Sequence, residues 1–347
     1  MKCALLISLS ISVQSDERMR NYRWGIIAPG NIATQFAAAL ATQNNAICYA
    51  VASRSLHQAE QFADKYGFEK RFDDYHQMLE DPDLDVVYIA SPHHLHAEQS
   101  IACLMAGKAV LCEKPMAVNK NQAQRVIEIA KAQKCFYMEA VWTRFLPIYQ
   151  TIRDWLDQGL IGEVKMVQAS FGFRFNASPT HRLYNADLAG GATLDMGIYP
   201  ITLSCWVYAD APTQIKAIGH IGDTSVDEQI VIGLKYPSGG LSQLGSMISA
   251  NSDHAAWIYG SKGKIKIHSQ FWASESATLY TDAGTVQREV HSPHQLNGYE
   301  WEIAAVHQTL NEGRIEHPLM TWQASLEVMD IMDEVRSQIG LVYPFEN

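Results

Sequence analysis

A chain of 347 residues with 47% hydrophobic and 18% charged content is a globular sequence with apolar material for more than one core, and two domains are expected. Its net charge of -10 argues against nucleic acid or an anionic membrane as the main partner, yet leaves room for a local positive site that takes an anionic cofactor. Six cysteines with no Cys-x-x-Cys spacing suggest neither a zinc site nor a disulfide framework, and a reducing cytoplasm fits them best.

The first residues stand apart. Residues 4–13 are apolar behind a single Lys2, too short to span a bilayer, and no clear small-x-small cleavage site follows. Residues 1–20 are expected to be an extension of little structural value, with the first domain starting near Met19-Arg20-Asn21.

Residues 22–28 read as an apolar strand that runs into Pro29-Gly30-Asn31-Ile32-Ala33 and a helix of small residues through Ala41. This is the strand–turn–helix of a dinucleotide site, in which Gly30 lets the backbone approach a pyrophosphate and the helix start offers free N–H groups. The full fingerprint wants glycine where this chain has Ala28 and Ala33, so the motif is degenerate. The second strand, 46–52, ends in Ser53-Arg54-Ser55, and a helix follows to Tyr66 and Gly67. An NAD site usually has a carboxylate after this strand; Arg54 stands there instead, which suits the extra phosphate of NADP. A solvent-facing arginine at a helix start is the plain alternative.

A strand over 85–90 ends in Ser91-Pro92-His93-His94-Leu95-His96. His-x-x-His at a strand end matches metal spacings poorly and has no adjacent acidic ligand, so the expectation is a cofactor loop with His96 opening a helix, and no metal. That helix ends at Gly107. Ala109-Val110-Leu111-Cys112 then reads as a fully buried parallel strand that stops at Glu113-Lys114-Pro115. Such strands present ligand-handling residues at their carboxyl ends, and Pro115 forces a turn that exposes Lys114. A cis Lys114–Pro115 bond is expected. A polar helix over 119–133 and a strand over 135–139 lead to Ala140-Val141-Trp142-Thr143-Arg144-Phe145. The alternation predicts a doubly wound parallel sheet in a dinucleotide-binding domain over 21–141.

After Pro147 the pattern changes. One helix, 148–158, precedes strand-like runs at 164–173, 214–220, 228–236, 241–249, 256–260, 264–268 and 278–281. Period-2 alternation, as in Lys264-Ile265-Lys266-Ile267, predicts a large, mostly antiparallel, open-faced sheet in an α/β domain over 142–347. A final helix, 322–339, capped by Gly340, is expected to be able to pack back on the first domain. Between them lies Gly190-Gly191-Ala192-Thr193-Leu194-Asp195-Met196-Gly197-Ile198-Tyr199-Pro200. Asp195 and Tyr199 are four apart and share a helical face, which Pro200 should disturb. A buried helix with a hydrogen-bonded tyrosine is the bland reading; a carboxylate and a phenol beside bare glycines look more like a site.

Together, Glu113-Lys114-Pro115, Ser91-Pro92…His96 and Gly190-Gly191…Asp195…Tyr199 resemble the family of glucose–fructose oxidoreductase, inositol dehydrogenase and rhizopine-catabolism proteins (Gfo/Idh/MocA) over residues 22–347. Within it, Arg23-Trp24-Gly25-Ile26, Glu139 through Phe145 and Tyr199 are most similar to dimeric dihydrodiol dehydrogenases and NADP-dependent D-xylose dehydrogenases. The resemblance implies NADP, or else NAD, along Ala28, Pro29, Gly30, Asn31, Ile32, Ser53, Arg54, Ser91, His93, His96, Glu113, Lys114, Trp142 and Arg144. It implies that Lys114 and Tyr199, with Asp195, act on the substrate oxygen, and a homodimer or homotetramer through the C-terminal sheet. Dihydrodiol dehydrogenases carry a second basic residue where this chain has Gln58, which puts the grip on a 2′-phosphate in doubt.

The implied chemistry is hydride transfer between nicotinamide and a carbinol carbon of a sugar or cyclic diol. A phenol with a pKa of about 10 is a poor base at neutral pH. A lysine ammonium in hydrogen-bonding reach would lower it, so Lys114 and Tyr199 could share the proton, and the sequence leaves open which takes it. Asp195 would hold Lys114 or a substrate hydroxyl, and Trp142 and Phe171 would wall the substrate. A nucleotide-binding sensor without turnover, and an NAD-dependent glycosidase or isomerase that recycles its cofactor, are the rival readings.

Overall fold

The computed structural model describes residues 20–176 and 178–346; the expected extension over 1–20 lies almost wholly outside the described residues. The first half of the chain runs β1 (Tyr22–Ile27), α1 (Asn31–Leu40), β2 (Ala46–Ala52), α2 (Leu56–Tyr66), β3 (Lys70–Phe72), α3 (Tyr75–Leu79), β4 (Val86–Ile89), α4 (His96–Met105), β5 (Ala109–Glu113), α5 (Lys120–Gln133) and β6 (Tyr137–Ala140). Its six strands form one sheet in the order β3-β2-β1-β4-β5-β6, and all recorded pairings are parallel. Val86–Ile89 and Ala109–Glu113 are buried along their whole length, which is why they read as unbroken apolar runs. Strand order reverses between β1 and β4, so a crevice opens at the carboxyl ends of the strands there. On α1, Ala33, Ala37 and Ala39 are buried small residues that let the helix lie close to the sheet. The edge strand β3 was not anticipated: Lys-Arg-Phe is too short and too polar to carry an alternation signal.

The second half runs α6 (Pro147–Asp157), β7 (Val164–Gly172), α7 (Ile198–Tyr208), β8 (Gln214–Ile221), β9 (Asp227–Lys235), β10 (Leu241–Met247), β11 (Ala256–Gly260), β12 (Gly263–Ile267), β13 (Ser276–Thr281), β14 (Val286–His291), α8 (Tyr299–Asn311) and α9 (Trp322–Ile339). Its eight strands are ordered β14-β13-β12-β11-β7-β10-β9-β8, antiparallel except for β7 and β10. Burial alternates along β9 and β10, so one face is covered and the other open. Ile218 and Val231 are opposite one another on the open face, 81% and 58% exposed.

Two helices tie the halves together. α9 packs on β8, and Asp333 accepts from the Lys120 backbone N–H at 2.8 Å at the start of α5. α8 lies against α1; Trp24 Nε1 of β1 donates to His307 Nε2 at 2.9 Å, and the Tyr22 hydroxyl to Asn311 at 2.8 Å. α8 was also not anticipated. It buries Glu300, Glu302, His307 and Thr309 beside its apolar residues, which breaks the polar/apolar stripe a helix normally shows.

Candidate active site

The β1–α1 turn keeps the geometry of a dinucleotide cradle despite its degenerate sequence. Ala28 adopts φ 65°, the left-handed conformation that glycine usually supplies. At Gly30 a Cβ would meet nothing within 4 Å, so the backbone faces open space. The first turn of α1 has no side-chain cap, which leaves its N–H groups for an anion. The residues therefore fit a pyrophosphate along Ala28, Pro29, Gly30, Asn31 and Ile32. Arg54 is exposed beyond β2, and Ser53 Oγ is engaged with Gln58 at 3.2 Å.

At the end of β5 the Lys114–Pro115 bond is cis, as expected. Glu113 is buried and accepts a short hydrogen bond from the Tyr88 hydroxyl. Burial pushes its carboxyl up, against the pull of Lys114. Lys114 Nζ donates to the backbone carbonyl of Asp195 at 2.6 Å, stands 3.6 Å from its Oδ1, and lies 5.0 Å from the centroid of the Tyr199 ring. That carbonyl is available for a physical reason. Thr193–Gly197 forms a π turn, in which the carbonyl of residue i looks for the N–H of i+5; for Asp195 that residue is Pro200, which has none. The lysine takes the place of the missing donor.

Burial alone would raise the Asp195 carboxyl, but Lys114 and Arg182, with a contact from His93, outweigh it and hold it well below the usual carboxylate range. Arg182 makes a bidentate pair with Asp195 at 3.0 and 3.2 Å. Nothing in the sequence pointed to Arg182; it opens a single 3-10 turn, Arg182–Tyr184, too short to carry a periodicity.

The expected lowering of the Tyr199 phenol by Lys114 is corrected by the geometry. The ammonium lies over the ring rather than at the hydroxyl, and the hydroxyl instead accepts from Trp142 Nε1 at 3.2 Å. Burial, with Glu113 next, pushes the phenol well above its ordinary value. The buried phenol thus favours its protonated form. Trp142 stacks on Tyr299 of α8 (4.7 Å, 8°), and Phe171 stacks on Trp272 (3.5 Å, 8°) at 5.4 Å from Tyr199. Both expected aromatic walls are therefore beside the phenol.

Four further residues sit differently from expectation. His93 is drawn to the proton cluster, with Nε2 3.6 Å from Asp195 and Nδ1 3.1 Å from the Ala189 carbonyl. His96 opens α4, but both its ring nitrogens lie 2.7 Å from backbone carbonyls, those of Pro115 and Ser91. Both nitrogens are thus engaged by the loops of Pro115 and Ser91, although burial pushes the ring's pKa down to about 3. Ser91 Oγ is held by Gln99 at 2.7 Å. Arg144 lines a small internal cavity with Tyr149, Tyr199, Thr202 and Trp206, and its Nε has no partner there. The paired glycines also serve packing: a Cβ on Gly191 would stand 2.0 Å from Asp227 Oδ1, and one on Gly190 2.5 Å from the Arg182 carbonyl.

A doubly wound sheet with a phosphate cradle, and a lysine, a carboxylate and a phenol converging at the end of β5, define an oxidoreductase with a nicotinamide dinucleotide as cofactor. A model described as an oxidoreductase family with an NAD-binding Rossmann fold matches residues 22–141, and the C-terminal domain model of the same family matches residues 149–266. The chain belongs to the Gfo/Idh/MocA family and is an NAD(P)-dependent dehydrogenase acting on CH–OH groups. It is 35% identical to the trans-1,2-dihydrobenzene-1,2-diol dehydrogenase of Xenopus tropicalis, over 93% of this chain and 99% of that one. With the Danio rerio enzyme of the same name it shares 37%, over 92% and 98%. A 3-ketoreductase from Actinomadura kijaniata, crystallised with NADP and TDP-benzene, superimposes with a TM-score of 0.81 at 29% identity, over 92% of this chain and 98% of that one. A levoglucosan dehydrogenase shares the fold with a TM-score of 0.84 at 20% identity, over 93% and 97%.

Proposed function

We propose that the protein interconverts a carbinol and a carbonyl on a sugar or cyclic diol, with NADP preferred over NAD. The observation that carries this reading is the placing of Lys114 Nζ against both Asp195 and the ring of Tyr199, at the strand end beside the dinucleotide cradle. The bound cofactor supplies the hydride acceptor or donor; the proton is the protein's task. Tyr199 gives its proton to the oxygen of a carbonyl substrate and recovers it in the reverse direction. Lys114 holds that same oxygen and stabilises the charge that develops on it. Asp195 fixes the ammonium, and Trp142 and Phe171 offer apolar faces for a ring. Similarity to dihydrodiol dehydrogenases and to a ketoreductase crystallised with NADP supports the substrate class and the cofactor. The exposed Ile218 and Val231 favour a homodimer or homotetramer through the open sheet, and the free Cys48, Cys103, Cys112, Cys135 and Cys205 suit a reducing cytoplasm.

The test is a panel of pentoses, hexoses and trans-diols offered with each cofactor and followed by nicotinamide absorbance and fluorescence. Turnover is expected with at least one of them, faster with NADP. Arg54→Ala should weaken NADP by about 1–3 kcal/mol and NAD far less. Binding without turnover on the whole panel would favour a sensor, and equal effects on both cofactors would remove the phosphate role of Arg54.

A further inference from the structure

Three basic groups meet one oxygen of Asp195: Arg182 Nη1 at 3.0 Å, Lys114 Nζ at 3.6 Å and His93 Nε2 at 3.6 Å from Oδ1. Arg182 Nη2 takes the other oxygen at 3.2 Å. The carboxylate is therefore hydrogen-bonded on both oxygens by Arg182 and neutralised by Arg182 and Lys114. Arg182 is in the opposite state. Two of the five N–H donors of its guanidinium go to Asp195, and the others have no protein hydrogen-bond partner among the described residues. Its side chain is 50% exposed, whereas those of Lys114 and Asp195 are 12% and 11% exposed. It is the outward member of a buried cluster.

Its loop does not need the guanidinium as an anchor. The Gly191 N–H donates to the Leu183 carbonyl at 2.8 Å, the Tyr184 hydroxyl to the Phe175 carbonyl at 2.8 Å, and the Gly190 N–H to the Asn185 carbonyl at 3.0 Å. A bidentate clamp fixes the plane of a guanidinium and so aims its remaining donors.

We propose that Arg182 is a specificity-determining residue. Clamped on Asp195, and sharing its Oδ1 with Lys114, it donates to a second substrate oxygen, on the carbon next to the reacting carbinol. It thereby selects vicinal diols and sugars over simple alcohols. This rests on the reading of the site as a carbinol dehydrogenase.

The test compares the wild type, R182A, R182Q and R182K with NADP on a matched pair, a trans-cyclohexanediol and cyclohexanol, which differ in the second oxygen alone. Each is read as kcat/KM, or as an inhibition constant against the best sugar substrate, together with cofactor affinity and Tm. The wild type should favour the diol. R182A and R182Q should lose about ten- to a hundredfold more on the diol than on the monool, mainly in KM, at unchanged cofactor affinity. R182K should recover part of the loss. Equal losses on both compounds, or an unchanged preference, would overturn the proposal alone. A wild type inert on this pair and on every sugar would overturn the dehydrogenase reading and the proposal with it.

Discussion

At the scale of single residues, the site sets a buried phenol against a lysine that touches its ring and not its hydroxyl. If both act on one substrate oxygen, their losses should not add. Tyr199→Phe and Lys114→Met should each cut turnover by about a hundredfold or more, and the double variant should be little worse than the poorer single one. Cofactor binding should persist in Tyr199→Phe. Fully multiplicative losses in steady-state kinetics would show two separate roles. Glu302 of α8 offers a different test. It is fully buried, neither carboxyl oxygen has a hydrogen-bond partner among the described residues, and burial, with Glu113 next, pushes its pKa well above the ordinary value. The native state then holds a proton that the unfolded chain releases above a pH of about 4.3, so stability falls as pH rises from there. Removing that group with Glu302→Gln should flatten the decline by up to roughly 1.4 kcal/mol per pH unit, as read by denaturant melts between acid and neutral pH. A parallel pH dependence in both proteins would show that Glu302 ionises freely in the fold.

At the scale of elements, the π turn over Thr193–Gly197 and α7 behind it form the part that couples packing to chemistry. Gly191 precedes the turn at φ 111°, and Asp227 Oδ2 takes both the backbone N–H and the hydroxyl of Thr193, at 2.7 and 2.6 Å. Gly191→Ala would drive a Cβ into Asp227 in a backbone region that side chains avoid. It should lower stability by about 1–3 kcal/mol and reduce kcat as well, because the displaced turn carries Asp195. A melt and a rate assay read both, and an unchanged Tm would refute the close approach. Pro200 was legible as a disturbance from its missing N–H; the turn it disturbs begins past both glycines, at Thr193. The glycines that looked bare for a ligand are bare for the Arg182 loop and Asp227. Strands such as Ala46–Ala52 and Ala256–Gly260 were legible because one or both faces are buried and the apolar pattern records it. β14 and α8 were not. The first is an exposed edge, and the second buries Glu300 and Glu302 within its apolar face, which breaks the helical stripe.

At the scale of the whole molecule, the two halves build one site. The first supplies the cradle and Lys114 at the end of β5; the second supplies Asp195, Arg182, Tyr199 and Phe171; α8 closes over Trp142. The motif residues were readable one by one, because Glu113-Lys114-Pro115 and Asp195…Tyr199 carry unusual chemistry in short spans. Their meeting was not, since it depends on how α8 and α9 dock one sheet on the other. Arg182 had no signal at all, because a lone arginine in a single short turn reads as solvated. In the proposed reaction hydride moves directly between a substrate carbinol carbon and the nicotinamide ring, with Tyr199 and Lys114 handling the proton. Offering the best substrate with deuterium on its carbinol carbon, and following the label by mass spectrometry and NMR, tests this. One deuterium is expected on C4 of the nicotinamide, on a single face, with a slowed rate and with loss of transfer in Tyr199→Phe. Product formed with no label on the cofactor, and with solvent hydrogen at the carbinol position instead, would rule direct hydride transfer out.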